Sequence, residues 1–221
     1  MRLSRAQTAA EKAGLAFRGA FHPGAGDLPP GVTAKTIMML GFVGGEQWRV
    51  FAASPEYRDG RAHPLDRWSH RVISKLAMDL GAHALFPFTA PFMPFVRWAQ
   101  KAEPVAPSET GMLIHPDFGL WHAWRGALAF AEKFDIPPRD DRSRPCDTCT
   151  DKPCLSACPV NAMKGGGVYE APTCAAHLRS DDGADCMSGG CLARRACPVG
   201  AGTRRYSPEQ AAFHMKSFRG D

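Results

Sequence analysis

Cys146-Asp147-Thr148-Cys149-Thr150-Asp151-Lys152-Pro153-Cys154-Leu155-Ser156-Ala157-Cys158-Pro159 is the stretch that decides how this chain is built. A second set follows at Cys174, Cys186, Cys191 and Cys197-Pro198, so all eight cysteines of the 221 residues lie in the last third and each set closes on Cys-Pro. A cubane of iron and sulfide leaves one coordination position open on each of four irons, and thiolates fill these positions best. Eight cysteines make two sets of four with none left over.

In two-cluster domains the cysteine before the proline leaves its own loop to bind the other cluster, and the proline stops a helix from running back through that point. One [4Fe-4S] cluster is therefore assigned to Cys146, Cys149, Cys154 and Cys197, and the other to Cys158, Cys174, Cys186 and Cys191. Three other readings stay open. A disulfide framework needs a secreted chain, and Met1 to Glu11 has no apolar core between a basic start and a cleavage site. Two four-cysteine zinc sites are chemically possible, but zinc ribbons use separated cysteine pairs and have no need of a repeated Cys-Pro. A single cluster with spare cysteines also remains, because four residues separate Cys149 from Cys154 and five separate Cys191 from Cys197, wider than the compact run.

Working outward, residues 146–206 are rich in Gly, Cys and Pro with little apolar periodicity, so metal rather than core is expected to hold them together. Gly165-Gly166-Gly167 reads as a turn inside this region. Ser207-Pro208-Glu209-Gln210 opens a short tail helix, expected to fold back on the first domain. Upstream, Ser4 to Ala13 reads as a helix with Ser4 and Gln7 as a capping box, Leu15 to Phe21 as a strand, and Thr36 to Val43 as a central strand buried on both faces. Leu65, Trp68, Val72, Leu76 and Leu80 recur at helical spacing with Gly81 as the stop, and Asp66 is expected to be the N-cap. A strand at Ala84 to Pro87, a helix at Phe95 to Lys101, and two strands, Met112 to His115 and Leu120 to Phe130, joined by Pro116 to Gly119, complete an α+β domain. The expected division is 1–138, 139–206 and 207–221, with a linker of proline and charge from Ile136 to Pro145.

At 44% hydrophobic content the chain can bury a real core. The formal charge is +5, and residues 146–221 carry nine Lys and Arg against eight Asp and Glu, which leaves no concentrated basic stripe. No nucleic-acid partner and no membrane span are expected, and oxygen-sensitive metal chemistry suits the cytoplasm.

Cys146 to Pro159, Cys174-Ala175-Ala176-His177-Leu178-Arg179, and Cys186 to Pro198 together resemble the two-cluster module of the epoxyqueuosine reductases and of the related corrinoid-dependent reductive dehalogenases. The run Ile114 to Leu128 is similar to a strand-turn-strand stretch of the cobalamin-processing cblC family, and His63 to Trp68 to the start of a helix there. That likeness implies a nitroreductase-like sheet-and-helix domain that binds cobalamin, followed by a small ferredoxin-like domain with two [4Fe-4S] clusters. The chain stops soon after the second Cys-Pro, without the helical repeats with which epoxyqueuosine reductases grip transfer RNA, so transfer RNA is not the expected substrate.

The function implied is an oxidoreductase in which two clusters pass single electrons to a corrinoid, supplied by a donor protein or reductase. His115, Trp121, His122 and Arg125 are the candidate corrinoid contacts: imidazole for cobalt or a corrin amide, indole for the ring, guanidinium for a propionamide or phosphate. Each is also readable as ordinary core, and as a strand the stretch sends Trp121 and Trp124 to opposite faces. Arg194, Arg195, Arg204 and Arg205 are placed to offset cluster charge, or else are solvated surface cations. The alternatives are a non-catalytic electron carrier that docks on a partner oxidoreductase, and a flavin-binding reductase. No phosphate-cradling glycine loop of recognised spacing supports flavin or nicotinamide.

Overall fold

A computed structural model describes residues 3–219 of the chain as a mixed α+β protein of two compact units. Met1–Pro104 with Ala123–Asp141 form the first unit, and Val105–His122 with Arg142–Asp221 form the second. This differs from the expected division in that residues 105–122 cluster with the cysteine-bearing region; positions 1, 2, 220 and 221 lie outside the described residues.

The first unit runs through α1 (Leu3–Lys12), β1 (Ala16–Phe21), β2 (Thr36–Val43), α2 (Trp48–Ala52), α3 (Pro55–Arg58), α4 (Pro64–Leu80), β3 (His83–Leu85) and α5 (Phe95–Ala102). Two short strands of the second unit follow, β4 (Ala106–Pro107) and β5 (Leu113–Ile114), before β6 (His122–Phe130) completes a sheet of order β1-β2-β6-β3. Every residue of β2 is buried, as its unbroken apolar run predicts for a strand with a neighbour on each edge and cover on each face. Ile37 and Met39 meet Phe95 and Trp98 of α5 on one side. On the other, Phe42 packs edge-on against Trp68 of α4 at 5.6 Å, and Trp68 against Phe51 at 5.9 Å. The period of two is thus present inside a strand that is apolar throughout.

Helix α4 ends where its sequence says, at Gly81 with φ 65°, a left-handed residue whose N–H reaches back to the last turn. Its buried face is Trp68, Ser69, Ile73, Leu76 and Ala77, rotated slightly from the expected stripe. The N-cap is His63, not Asp66, and Asp66 lies in the first turn. The capping box at α1 is also not formed as expected, since the helix already includes Leu3, and Gln7 donates instead to Glu11 at 3.0 Å.

The register of β1 on β2 shifts between Phe17 and Ala20. A bulge of this kind turns a side chain out of strand alternation. Here Arg18, 1% exposed, makes a fork to Glu103 at 2.6 and 2.7 Å and donates to the Phe42 carbonyl at 2.9 Å.

The expected strand pair around Pro116–Gly119 is not formed. β5 pairs with β4, while β6 lies in the four-stranded sheet beside β3, with Ala129 opposite His83. His115 and Gly119 exchange backbone hydrogen bonds at 2.9 Å, and Trp121 N–H then donates to Phe118 O at 3.0 Å. This second turn redirects the chain before pairing can extend. The wholly buried run Gly126 to Phe130 is what a two-sided sheet position requires.

The rest of the second unit is made of short pieces: α6 (Pro153–Ser156), β7 (Met163–Gly165), β8 (Val168–Tyr169), α7 (Ala171–Arg179), α8 (Ala184–Gly189), α9 (Leu192–Ala196) and α10 (Pro208–Arg219). β7 and β8 form a hairpin, not foreseen from the sequence, around the expected turn at the three glycines. Ser207 Oγ accepts from Gln210 N–H at 3.2 Å as the N-terminal cap of α10. Contrary to expectation, α10 packs on α7 and α8 within the cysteine-bearing unit. No helix among the described residues is long and apolar enough to cross a membrane.

Candidate metal centres

The second unit gathers its cysteines in two places. Cys146 sits in a one-turn 3-10 helix, Cys149 in the following loop and Cys154 in α6, and together with Cys197, at the end of α9, they line a cavity of about 260 Å³. Cys174 of α7 and Cys191, just before α9, line another cavity of about 260 Å³. Cys186 of α8 packs with these two, and Cys158 is near enough to Cys174 to disfavour its ionisation.

The 3-10 turn at Cys146, α6 and α9 are at most five residues long, because loops must deliver several sulfurs to one point, whereas α7, with Cys174, runs to nine. Burial pushes the thiols of Cys154, Cys174, Cys186 and Cys197 up, and repulsion from the neighbouring sulfurs of the same group adds to it. Hydrogen bonds oppose the shift at three of them, from the Val199 and Leu192 backbones to Cys197 and Cys186 and from the Tyr169 hydroxyl to Cys174. Ala162 N–H points to Cys158 Sγ at 3.2 Å. Among the described residues no three His, Cys, Asp or Glu side chains converge closely enough for a single metal ion.

Glu109, from the segment between β4 and β5, fastens this scaffold. Its carboxylate accepts from Lys152 Nζ at 3.0 Å and from Gly166 N–H at 3.1 Å, and its backbone carbonyl accepts from Gly167 N–H at 3.1 Å. The Lys152 ammonium, more than the Gly166 N–H, holds the carboxyl below its ordinary range. Gly119 is fitted just as closely to the loop after Cys197: its φ is 57°, and a Cβ there would lie 2.0 Å from the Val199 carbonyl oxygen. Gly119→Ala is therefore expected to destabilise the second unit by about 1–3 kcal/mol, measurable as a lower denaturant midpoint for the unfolding of that unit by circular dichroism.

The four candidate corrinoid contacts each have protein partners around them. His115 is buried, accepts from the N–H groups of Asp117 and Phe118 at 3.0 and 3.3 Å through Nδ1, and stacks on Phe118 at 4.0 Å. His122 Nε2 hydrogen-bonds the Leu113 carbonyl at 3.0 Å. Trp121 is buried edge-on to Tyr206 at 5.3 Å. Arg125 belongs to the first unit, where Asp66 and Ser69 hold it and Phe88 lies beneath it. The first three brace the second unit; Arg125 ties α4 to β6.

The residues that sequence reasoning missed are Glu109, Tyr169 and the Ala162 N–H. None carries a motif: Glu109 stands far upstream of Cys146, Tyr169 is an isolated aromatic, and a backbone donor leaves no mark on a sequence.

No protein-family model matches the chain, and no curated protein matches its sequence. Solved structures do share the fold. The epoxyqueuosine reductase of Streptococcus thermophilus is similar over 93% of this chain and 68% of its own, with a TM-score of 0.55 at 14% identity. An epoxyqueuosine reductase solved with a tRNA-Tyr epoxyqueuosine-modified stem loop is similar over 95% and 68%, with a TM-score of 0.52 at 12% identity. The fold is thus that of the epoxyqueuosine reductases. The expectation of no nucleic-acid partner does not stand, because a protein of this fold is solved with a tRNA stem loop.

Proposed function

We propose that the chain is an iron–sulfur oxidoreductase that carries two [4Fe-4S] clusters, one on Cys146, Cys149, Cys154 and Cys197 and the other on Cys158, Cys174, Cys186 and Cys191, and that it passes single electrons to a corrinoid. The observation that carries the reading is the gathering of eight cysteines into two groups of four, each beside its own cavity. The donor sets suit such clusters: the thiols are partly desolvated, and amide and hydroxyl donors serve the sulfurs. When bound, the clusters supply one-electron transfer at low potential. The polypeptide's part is to hold the thiolates, to hydrogen-bond them and to exclude water from them. The cytoplasm is the compartment that suits this chemistry.

The corrinoid rests on the likeness of the cysteine module and of Ile114 to Leu128 to corrinoid proteins, and this reading does not route it through His115, Trp121, His122 or Arg125. The second reading, favoured by the stem-loop complex of a protein with this fold, is an RNA-borne electron acceptor. An anaerobic absorbance titration with hydroxocobalamin, before and after dithionite, tests the first. A corrin spectrum that shifts on binding and bleaches to the reduced form supports it. An unperturbed corrin spectrum removes it, and retardation of a modified tRNA stem loop then supports the second.

A further inference from the structure

Four arginines stand near the second group of cysteines in sequence, and their environments differ. Arg195 pairs with Asp185 at 2.5 Å, Arg205 donates to the Arg195 carbonyl at 3.0 Å, and Arg204 lies over the Phe118 ring at 5.5 Å. Arg194 is different. It is 8% exposed, and its guanidinium touches the Met112 thioether at 3.2 Å and the faces of Tyr206 and Trp121 at 5.4 and 6.0 Å. Among the described residues no carboxylate lies within ion-pair distance of it, and its Nε has no hydrogen-bond partner. A buried cation held only by sulfur and ring faces is costly unless an anion stands beside it. The cavity that Arg194 lines also holds Cys174 and Cys191.

Met112 also packs with Cys146 and Cys197, but Arg194 does not line the cavity of that other group, and among the described residues the cations beside it are paired. Lys152 lines its cavity but is neutralised by Glu109 at 3.0 Å, and Arg144 is paired to Asp147 at 2.8 Å. Resting on the proposed two-cluster reading, we infer that Arg194 is the built-in counter-charge of the cluster at Cys158, Cys174, Cys186 and Cys191. That cluster therefore has the higher reduction potential of the two and takes the first electron. A four-thiolate cluster becomes more negative on accepting an electron, so a desolvated cation at its edge stabilises the reduced form more than the oxidised one. The Ala162 N–H and Tyr169 hydroxyl, on sulfurs of the same group, act in the same direction.

The test is an electron-paramagnetic-resonance redox titration of the iron-loaded full chain, with iron and sulfide assayed on every sample. Wild type is expected to reduce in two one-electron waves. Arg194→Met is expected to lower the upper wave by about a tenfold change in its equilibrium, ~59 mV, and to leave the lower one in place. Arg194→Lys, which keeps the charge, is expected to stay close to wild type. An upper wave unmoved in R194M, or a shift of the lower wave instead, overturns the inference and leaves the two-cluster reading intact. If R194M loses iron, R194K decides: retention of iron at the wild-type potential supports a role for charge, and equal loss shows that only shape matters and overturns it. A wild-type chain that takes up no iron removes this inference together with the reading beneath it.

Discussion

Cys149→Ser is expected to halve the iron content, from about eight to about four atoms per chain, with Cys186→Ser removing the complementary half. Serine keeps the size and loses the soft thiolate, so the change acts on the metal rather than on packing. The halving follows from two groups that share no ligand. Cys149 lies with Cys146, Cys154 and Cys197, and Cys186 with Cys174 and Cys191. Each substitution should also lower the melting point of the second unit sharply, because its apolar clusters are built on cysteines. One consists of Ile114, Leu120 and Cys197, and the other of Leu178, Cys186 and Met215. Metal binding in such a domain is folding free energy. The first unit buries Trp68, Trp98, Phe51 and the whole of β2 without help from metal, and should melt at its own temperature when the iron is stripped. Iron assay with near-ultraviolet circular dichroism reads both effects, and loss of all iron from either variant contradicts the independence of the groups.

Glu103→Ala is expected to cost about 3–5 kcal/mol in the first unit, a fall of roughly 10 °C or more in its melting point. It leaves Arg18 buried under Trp124 at 4.9 Å without the carboxylate that answers its charge. Burial pushes the Glu103 carboxyl up, and the Arg18 guanidinium pulls against it. Each charge is thus the other's main electrostatic partner in a buried place. The double substitution Arg18→Met with Glu103→Leu should recover most of the loss, since apolar replacement of a buried ion pair is often neutral or better. A double variant no more stable than Glu103→Ala would show that the fork itself, and not the orphaned charge, sets the cost.

The legible parts of this protein are those in which local chemistry and final position agree. The run from Thr36 to Val43 has no polar residue to place on a solvent face beyond Thr36 itself, and it became the buried strand it resembles. Gly81 closes α4 because the helix needs a left-handed residue there. The gathering of the cysteines is legible for another reason: thiols at such short spacing are brought close together by the chain itself, and the fold places them beside two cavities.

What was hidden depended on partners distant in sequence. Asp66 has the composition and position of a cap, but Arg125, 59 positions away, claims its carboxylate. His115 and His122 look like ligands because imidazoles beside aromatics often are; only the folded chain shows that the turn at Pro116–Gly119 engages the first ring and the Leu113 carbonyl the second. Arg18 sits in an otherwise ordinary strand, and the bulge that turns it inward leaves no mark in composition. The segment from Val105 to His122 reads as a continuation of the first domain, yet it supplies Glu109, Met112 and Gly119 to the cysteine scaffold.

The most direct test of the account is the metal content of the anaerobically purified full chain, by iron, acid-labile sulfide and zinc analysis. About eight irons and eight sulfides per chain, with a visible band that bleaches on dithionite, is the predicted result. Four irons would reduce the protein to one cluster with spare thiols, and zinc in place of iron would contradict the redox reading altogether.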